Sequence, residues 1–237
     1  MGKFNGFPKE FVVFLKELAE NNNREWYNKH RDDYKTYCAE PSFLFIDALG
    51  AQLAKYVKNL AYEAKVDRSL FRIYKDTRFS RDKSPYKTHL GILFWLDFFP
   101  VKHENPGFYI QLERENIILA TGSWFLIPPV LLEFRSSLLD KKAGAEFTKV
   151  LKKFEKDRVD IVGENPLKQP PAGFPKDHPL AEYAKYRGIY ANYSEFGLAD
   201  IVFSRDFIDY ALTFFIKTIP LLNWLGALTQ RAANKAK

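Results

Sequence analysis

The sequence predicts a single α+β domain spanning residues 1–237, in which a mainly antiparallel sheet is flanked by N-terminal and C-terminal helices. Three observations support this prediction. Apolar residues follow helical spacing over the first sixty residues, strand-like segments cluster between residues 90 and 124, and helical spacing returns after residue 128. Because helices and strands are segregated along the chain rather than alternating, the order favours α+β over a parallel βαβ architecture.

Three helices are predicted in the N-terminal part of the chain. Apolar side chains recur every three or four positions after Pro8, as on the buried face of a helix. Asn22 or Asn23 is a suitable N-cap for the second helix. Pro41 fits the first turn of the third helix, where its missing N–H costs nothing.

Four segments are predicted to be strands or to form a hairpin. Residues 90–99 form a continuous apolar run, typical of a strand covered on both faces. Residues 107–113 alternate, which places Phe108 on one face and Tyr109 on the other. Residues 117–124 follow a short polar turn, so the two segments form a hairpin that ends at Trp124, which we expect in the core. Residues 189–196 are a further strand.

The remaining C-terminal residues are predicted to be mostly helical. Pro128 opens one helix, and a second is centred near Phe147. Residues 157–177 are rich in proline and glycine, which indicates a long surface loop or a lid. A long terminal helix, capped by Ser204, bends or restarts at Pro220. Its apolar run is long enough for a membrane span, but its polar residues favour a buried amphipathic helix and no membrane partner.

Composition places the chain among globular proteins of a reducing compartment. Hydrophobic residues make up 46% of the sequence. The one cysteine, Cys38, excludes an internal disulfide and paired-cysteine metal motifs. The first residues lack the apolar core of a secretion signal, so we expect a cytoplasmic protein.

The positive charge is concentrated in residues 71–91. This segment carries more than half of the net charge of +7, from six basic and two acidic side chains. The basic residues are Arg72, Lys75, Arg78, Arg81, Lys83 and Lys87. If residues 71–79 are extended, Arg72, Asp76 and Arg78 share one face while Phe71, Ile73 and Phe79 point into the core. Planar guanidinium groups are suited to phosphate or carboxylate, so this basic segment is a candidate anion site.

The same segment resembles the signature of an uncharacterised bacterial and fungal family, domain-of-unknown-function family 2461. That signature reads Arg-x-x-Arg-Asp-x-Arg-Phe, followed by Asp or Asn, Lys and then Tyr. The matching positions are Arg72, Asp76, Arg78, Phe79, Asp82, Lys83 and Tyr86, while Lys75 stands where relatives have arginine. The resemblance extends over most of the chain, although residues 122–124 replace a longer glycine run. It implies no particular activity or cofactor.

The sequence supports three hypotheses about function. The first is a site for a small phosphate-bearing ligand formed by Arg72, Lys75, Arg78, Lys83 and Lys87, with Tyr109 in the pocket wall. The second is a non-enzymatic module that binds nucleic acid or an acidic protein surface. The third is a structural ion-pair cluster without a ligand.

The sequence leaves open whether the protein is an enzyme. His89, Asp76 and Tyr86 are the candidate catalytic side chains. Asp76 lies beside two arginines, which lower a carboxyl pKa, so it is better suited to orient them than to act as a base. The four histidines lack ligand spacing, so no metal or cofactor site is predicted. A magnesium site of Asp76, Asp82 and Glu113 is the alternative.

Overall fold

The computed structural model describes residues 2–78, 80–197 and 200–235. The described helices are α1 (Glu10–Glu20), α2 (Arg24–Lys29), α3 (Arg31–Asp33), α4 (Glu40–Leu53), α5 (Pro128–Leu139), α6 (Lys141–Asp157), α7 (Ala181–Ala184) and α8 (Phe207–Lys235). A π-helical segment, Tyr34–Ala39, joins α3 to α4, and 3₁₀ turns occupy Lys102–Glu104 and Asp200–Phe203. The cap at Asn23 and the proline at the start of α4 are as predicted.

Within the described residues, six strands form one antiparallel sheet, as the α+β prediction requires. The strands are β1 (Leu60–Ala61), β2 (Leu90–Leu96), β3 (Gly107–Leu112), β4 (Asn116–Ser123), β5 (Asp160–Glu164) and β6 (Gly188–Phe196). Their spatial order is β1-β2-β3-β4-β6-β5. β5 lies inside the segment predicted to be a loop or lid, so that prediction was wrong for these five residues. Its pattern is too short to stand out, and its partner β6 is distant in sequence.

The helices pack on one face of the sheet. Ile110 pairs with Ile92 on one side and Leu119 on the other, and all three are completely buried. The ring of Phe108 lies 4.6 Å from that of Phe215 in α8. The predicted core stripe of β3 therefore faces the helical layer.

Helix α8 is the central helix of this layer. It continues through Pro220 without interruption, and the hydroxyl groups of Thr218 and Thr121 on β4 are 2.7 Å apart in the core. By length and composition α8 is also the one described helix that would suit a membrane span. Half of that apolar stretch is buried in the protein, as in a core helix.

The opposite face of the sheet carries partly exposed side chains. Tyr109 and Tyr190 lie on this face, and Trp124 stacks on Tyr190 with 67% of its surface exposed. The expectation that Trp124 is a core residue was therefore wrong. Trp124 follows the last residue of β4, where the chain leaves the sheet toward α5.

The π-helical segment contains the one cysteine of the chain. Cys38 is completely buried among the N-terminal helices, and burial raises the pKa of its thiol. The neighbouring Tyr34 is 7% exposed.

Candidate anion-binding site

The basic segment forms an irregular hairpin at the edge of the sheet. The amide of Phe71 donates to the carbonyl of Gly91 at 2.9 Å, and that of Lys75 donates to Pro85 at 2.9 Å. Between these bonds, Tyr74 and Tyr86 form an isolated bridge rather than part of a regular strand. The strict alternation expected for residues 71–79 is therefore absent, because the pairing is irregular and Pro85 has no N–H to donate.

One amide side chain fastens the hairpin to the N-terminal helices. Asn22 donates to the carbonyl of Tyr86 and accepts from its amide, both at 3.0 Å. Tyr86 is only 2% exposed, so this contact fixes the hairpin against the helical layer.

At the hairpin tip, several of the predicted cations already have protein partners. Arg78 donates to both carboxylate oxygens of Asp76, with the shortest distance 2.7 Å. Lys75 binds Asp82 at 2.6 Å. The Lys83 ammonium donates to a backbone carbonyl, that of Thr77. The Asp76 and Asp82 pairs agree with the structural ion-pair hypothesis for this half of the segment.

The electrostatics of Asp76 support its expected orienting role. Hydrogen bonds from Arg78, with a smaller contribution from Arg72, lower its pKa to about 2. A carboxylate that stays ionised to such low pH is a poor base near neutrality. Phe79, which was predicted to point into the core, lies outside the described residues.

A cavity lies at the base of the hairpin, next to β1 and β2. Its volume is about 710 Å³, within the usual range for small-molecule sites. Three predicted residues, Arg72, Asp76 and Lys87, line it together with Lys102 and His103 from the loop after β2. Among the remaining predicted cations, Lys75 lines a separate cavity, described below, and Arg78 and Lys83 lie at the tip.

Phe71 organises the cationic side of this cavity. Alternation predicted that the Phe71 ring points into the core. Instead, its centre lies 6.1 Å from the centre of the Tyr109 ring. The Lys87 ammonium lies 5.3 Å from the Phe71 ring centre and the Lys102 ammonium 4.6 Å from it. Two ammonium groups thus share one aromatic ring, each with a cation–π contact.

Lys87 and Lys102 make no ion pair with any carboxylate of the described residues. Lys87 donates to the carbonyl of Arg72 at 3.0 Å, and Lys102 donates to those of Asp67 and Arg68. Burial lowers the pKa of both amines. The positive charge of Arg72 adds to this for Lys87, while Asp67 opposes it. For Lys102, Asp67 opposes the effect of burial, and Arg68 and Lys87 add to it. A bound anion would favour the charged forms of both amines.

The rest of the cavity wall is aromatic and acidic. Tyr62, Tyr74 and Trp95 supply rings. Glu63 forms an ion pair with Arg68 at 2.6 Å. Asp67 and Asp97 form no ion pair within the described residues. The cavity therefore combines a cationic side with carboxylates and aromatic surface.

Among the other candidates, His89, Tyr86 and Tyr109 do not line this cavity. His89 is largely buried at the start of β2, and burial together with Lys87 lowers its pKa. Tyr109 donates to Gln111 at 2.7 Å, and Gln111 donates to Glu113. Asp76, Asp82 and Glu113 each have different partners, so the alternative magnesium site is not assembled. The described residues contain no metal-binding cluster of His, Cys, Asp or Glu.

The profile of a family described as "Conserved hypothetical protein (DUF2461)" matches residues 10–224. The chain belongs to this family. No curated protein and no solved structure matches it.

In this DUF2461 chain, most residues at the signature positions build the hairpin itself. At the tip, Asp76 forms an ion pair with Arg78, and Asp82 forms one with Lys75. The backbone of Tyr86 is hydrogen-bonded to the side chain of Asn22. Arg72 and Asp76 are the signature residues that line the cavity at the base of the hairpin.

Sequence reasoning missed Lys102 and His103. They lie some distance along the chain from the basic segment, in a loop with no unusual charge. No local signal identifies them, because only folding of the loop after β2 brings Lys102 to the Phe71 ring.

Proposed function

We propose that this DUF2461 protein binds a small phosphate-bearing ligand in the cavity lined by Arg72, Lys87 and Lys102. The observation that carries the proposal is the pair of half-buried lysines that flank Phe71 without a carboxylate partner in the described chain. Burial is the main cause that lowers the pKa of both lysines, and a phosphate group placed between them would favour their charged forms.

The composition of the wall favours a small ligand over nucleic acid. Glu63, Asp67, Asp76 and Asp97 line the same cavity and would repel a continuous phosphate backbone. Nucleic-acid modules generally present a basic stripe along one face. Here the cationic groups are compact and bounded by carboxylates, which suits one phosphate group at a defined position.

The remaining surface supports a ligand with a polar and an aromatic part. Asp67 and Asp97 can accept hydrogen bonds from ligand hydroxyl groups, and Tyr62, Tyr74 and Trp95 offer rings for a flat group. A nucleotide or a phosphorylated sugar has both features. We therefore propose this ligand class.

The test is a thermal-shift titration of the full chain with inorganic phosphate, pyrophosphate, nucleotides and sugar phosphates at two salt concentrations. A ligand at one hundred times its dissociation constant stabilises the fold by about 2.7 kcal/mol. We expect such stabilisation in the wild type and its loss in the double variant K87M/K102M. The matched control is Lys83→Met, which removes an exposed lysine at the tip and should respond like the wild type.

Two results would count against the proposal. Equal stabilisation of the wild type and K87M/K102M by every phosphate compound would place the ligand elsewhere. No stabilisation by any compound, together with oligonucleotide binding that weakens steeply with salt, would favour the nucleic-acid hypothesis.

A further inference from the structure

Four tyrosines form a compact cluster where the hairpin meets α2. The rings of Tyr27 and Tyr86 are stacked with centres 4.3 Å apart, and Tyr74 lies 5.3 Å from Tyr86. Tyr34, in the π-helical segment, lies 6.0 Å from Tyr27. Tyr27, Tyr34 and Tyr86 are all at least nine-tenths buried.

None of the four hydroxyl groups has a hydrogen-bond partner among the described residues. The Tyr34 hydroxyl is the one fully enclosed, unpaired side-chain group in that part of the chain. Tyr27 and Tyr86 are 4% and 2% exposed, and their hydroxyls also lack protein acceptors. Leaving an enclosed donor unpaired costs about 1–3 kcal/mol, a cost that applies here to Tyr34. The Tyr27 and Tyr86 hydroxyls are not enclosed, so an acceptor from outside the chain can reach them.

A second cavity is lined by Tyr74 and Tyr86 of this cluster. Its volume is about 290 Å³, and its lining includes Arg24, Asn28, Lys75 and Tyr86. No carboxylate lines it among the described residues. Lys75 is held by Asp82, whereas Arg24 forms no described ion pair. The lining thus offers hydrogen-bond donors and positive charge.

The phenol groups remain donors at neutral pH. Burial, with smaller contributions from Tyr74 and Tyr86, raises the pKa of Tyr27 to about 12. Burial also raises the pKa of Tyr86, although the Arg24 guanidinium opposes this. Arg24 and Tyr86 line the same cavity, so one ligand can contact both.

We propose that this second cavity is a binding subsite for an oxyanion, a carboxylate or phosphate group held by the Arg24 guanidinium and the Tyr86 hydroxyl. The subsite is independent of the function proposed above, since the two cavities share only Tyr74 among their lining residues. A bound oxyanion accepts several hydrogen bonds at once, which suits a lining that includes Arg24, Lys75 and Tyr86 and no carboxylate among the described residues.

The experiment is a titration of the full chain, labelled with ¹³C in its tyrosine rings, with inorganic phosphate and separately with acetate. The signals of Tyr74 and Tyr86, assigned through single Tyr→Phe variants, should shift saturably with at least one of the two anions. Arg24→Gln and Tyr86→Phe should each weaken the apparent affinity about tenfold, equivalent to about 1.4 kcal/mol. Arg114→Gln and Tyr56→Phe are matched exposed controls and should leave the affinity unchanged.

The variant K87M/K102M separates this proposal from the first. We expect the Tyr86 signal of this variant to shift with the anion as in the wild type. This holds whether or not phosphate compounds still raise the unfolding temperature of the variant. Loss of the Tyr86 response in K87M/K102M, with retention in Arg24→Gln, would overturn the second subsite. A linear, non-saturating shift with both anions would overturn it as well. Unchanged signals from tyrosines outside the cluster, such as Tyr56 and Tyr190, in Tyr86→Phe will show that the fold is intact.

Discussion

Asn105 holds the loop that brings Lys102 to the cavity, and its removal tests this description of the site. The side chain is 3% exposed and makes four hydrogen bonds to its own loop. It accepts from the amides of Phe98 and Phe99 at 3.0 and 2.8 Å, and donates to the carbonyls of Phe99 and Val101 at 2.9 and 3.0 Å. A buried residue with this geometry acts as the loop's internal scaffold.

We expect Asn105→Ala to lower the free energy of unfolding by about 2–4 kcal/mol, from four bonds worth about 1 kcal/mol each, partly offset by water entering the gap. The assay is urea unfolding followed by tryptophan fluorescence, with the slope m checked for constancy. Asn21→Ala is the control, because Asn21 is exposed and its side chain donates only to Glu17. Its cost should stay within about 0.5 kcal/mol.

The same variant should also weaken phosphate binding, because Lys102 would lose its fixed position beside Phe71. A cost for Asn105→Ala no greater than that of Asn21→Ala would refute the scaffold argument. If Asn105→Ala lowers the free energy of unfolding by the expected amount but leaves the phosphate affinity unchanged, the position of Lys102 does not depend on this loop.

Two further predictions concern the fold. Gly122→Ala should destabilise the protein by more than Gly173→Ala. Both glycines have positive φ, which costs about 1–3 kcal/mol for other residues, but a Cβ at Gly122 would also lie 2.3 Å from the Ile189 carbonyl oxygen. Equal costs in urea unfolding would contradict this. Glu133 on α5 pairs with Arg231 and Lys235 of α8, and these contacts lower its pKa. The stabilisation is therefore present above its unfolded pKa of about 4.3 and is lost as pH falls through the lower folded value. Thermal unfolding from pH 7 to 3 should show that Glu133→Gln removes this part of the acid sensitivity, and parallel curves would refute it.

The main features of the fold were predictable because they depend on local periodicity. The alternation around Phe108 identified which face of β3 is buried, and Asn23 and Pro41 marked helix starts correctly. β5 was not predictable, because a five-residue edge strand is stabilised by its pairing with β6 rather than by its own pattern. Trp124 was misplaced, since apolar character does not reveal where a chain leaves the sheet.

The candidate site was predictable only in its local part. The charge excess pointed to the segment that forms the hairpin, and Asp76 makes the expected contact with an arginine, Arg78. The sequence did not indicate that Lys75 would turn toward Asp82, away from Arg72 and Lys87, because this depends on the irregular turn at the tip. Lys102 and Arg24 come from other parts of the chain, and only tertiary packing brings them to the two cavities.

Cys38 gives the protein a natural reporter of its own opening. Its thiol is enclosed by the N-terminal helices and its raised pKa disfavours the reactive thiolate, so a thiol reagent can modify it only when those helices separate. Since the chain has no second cysteine, each modification event records one such opening. The rate of labelling in dilute urea would then measure the opening of the layer that contacts Tyr34 without any engineered probe. A ligand that draws the hairpin against α2 should slow that rate.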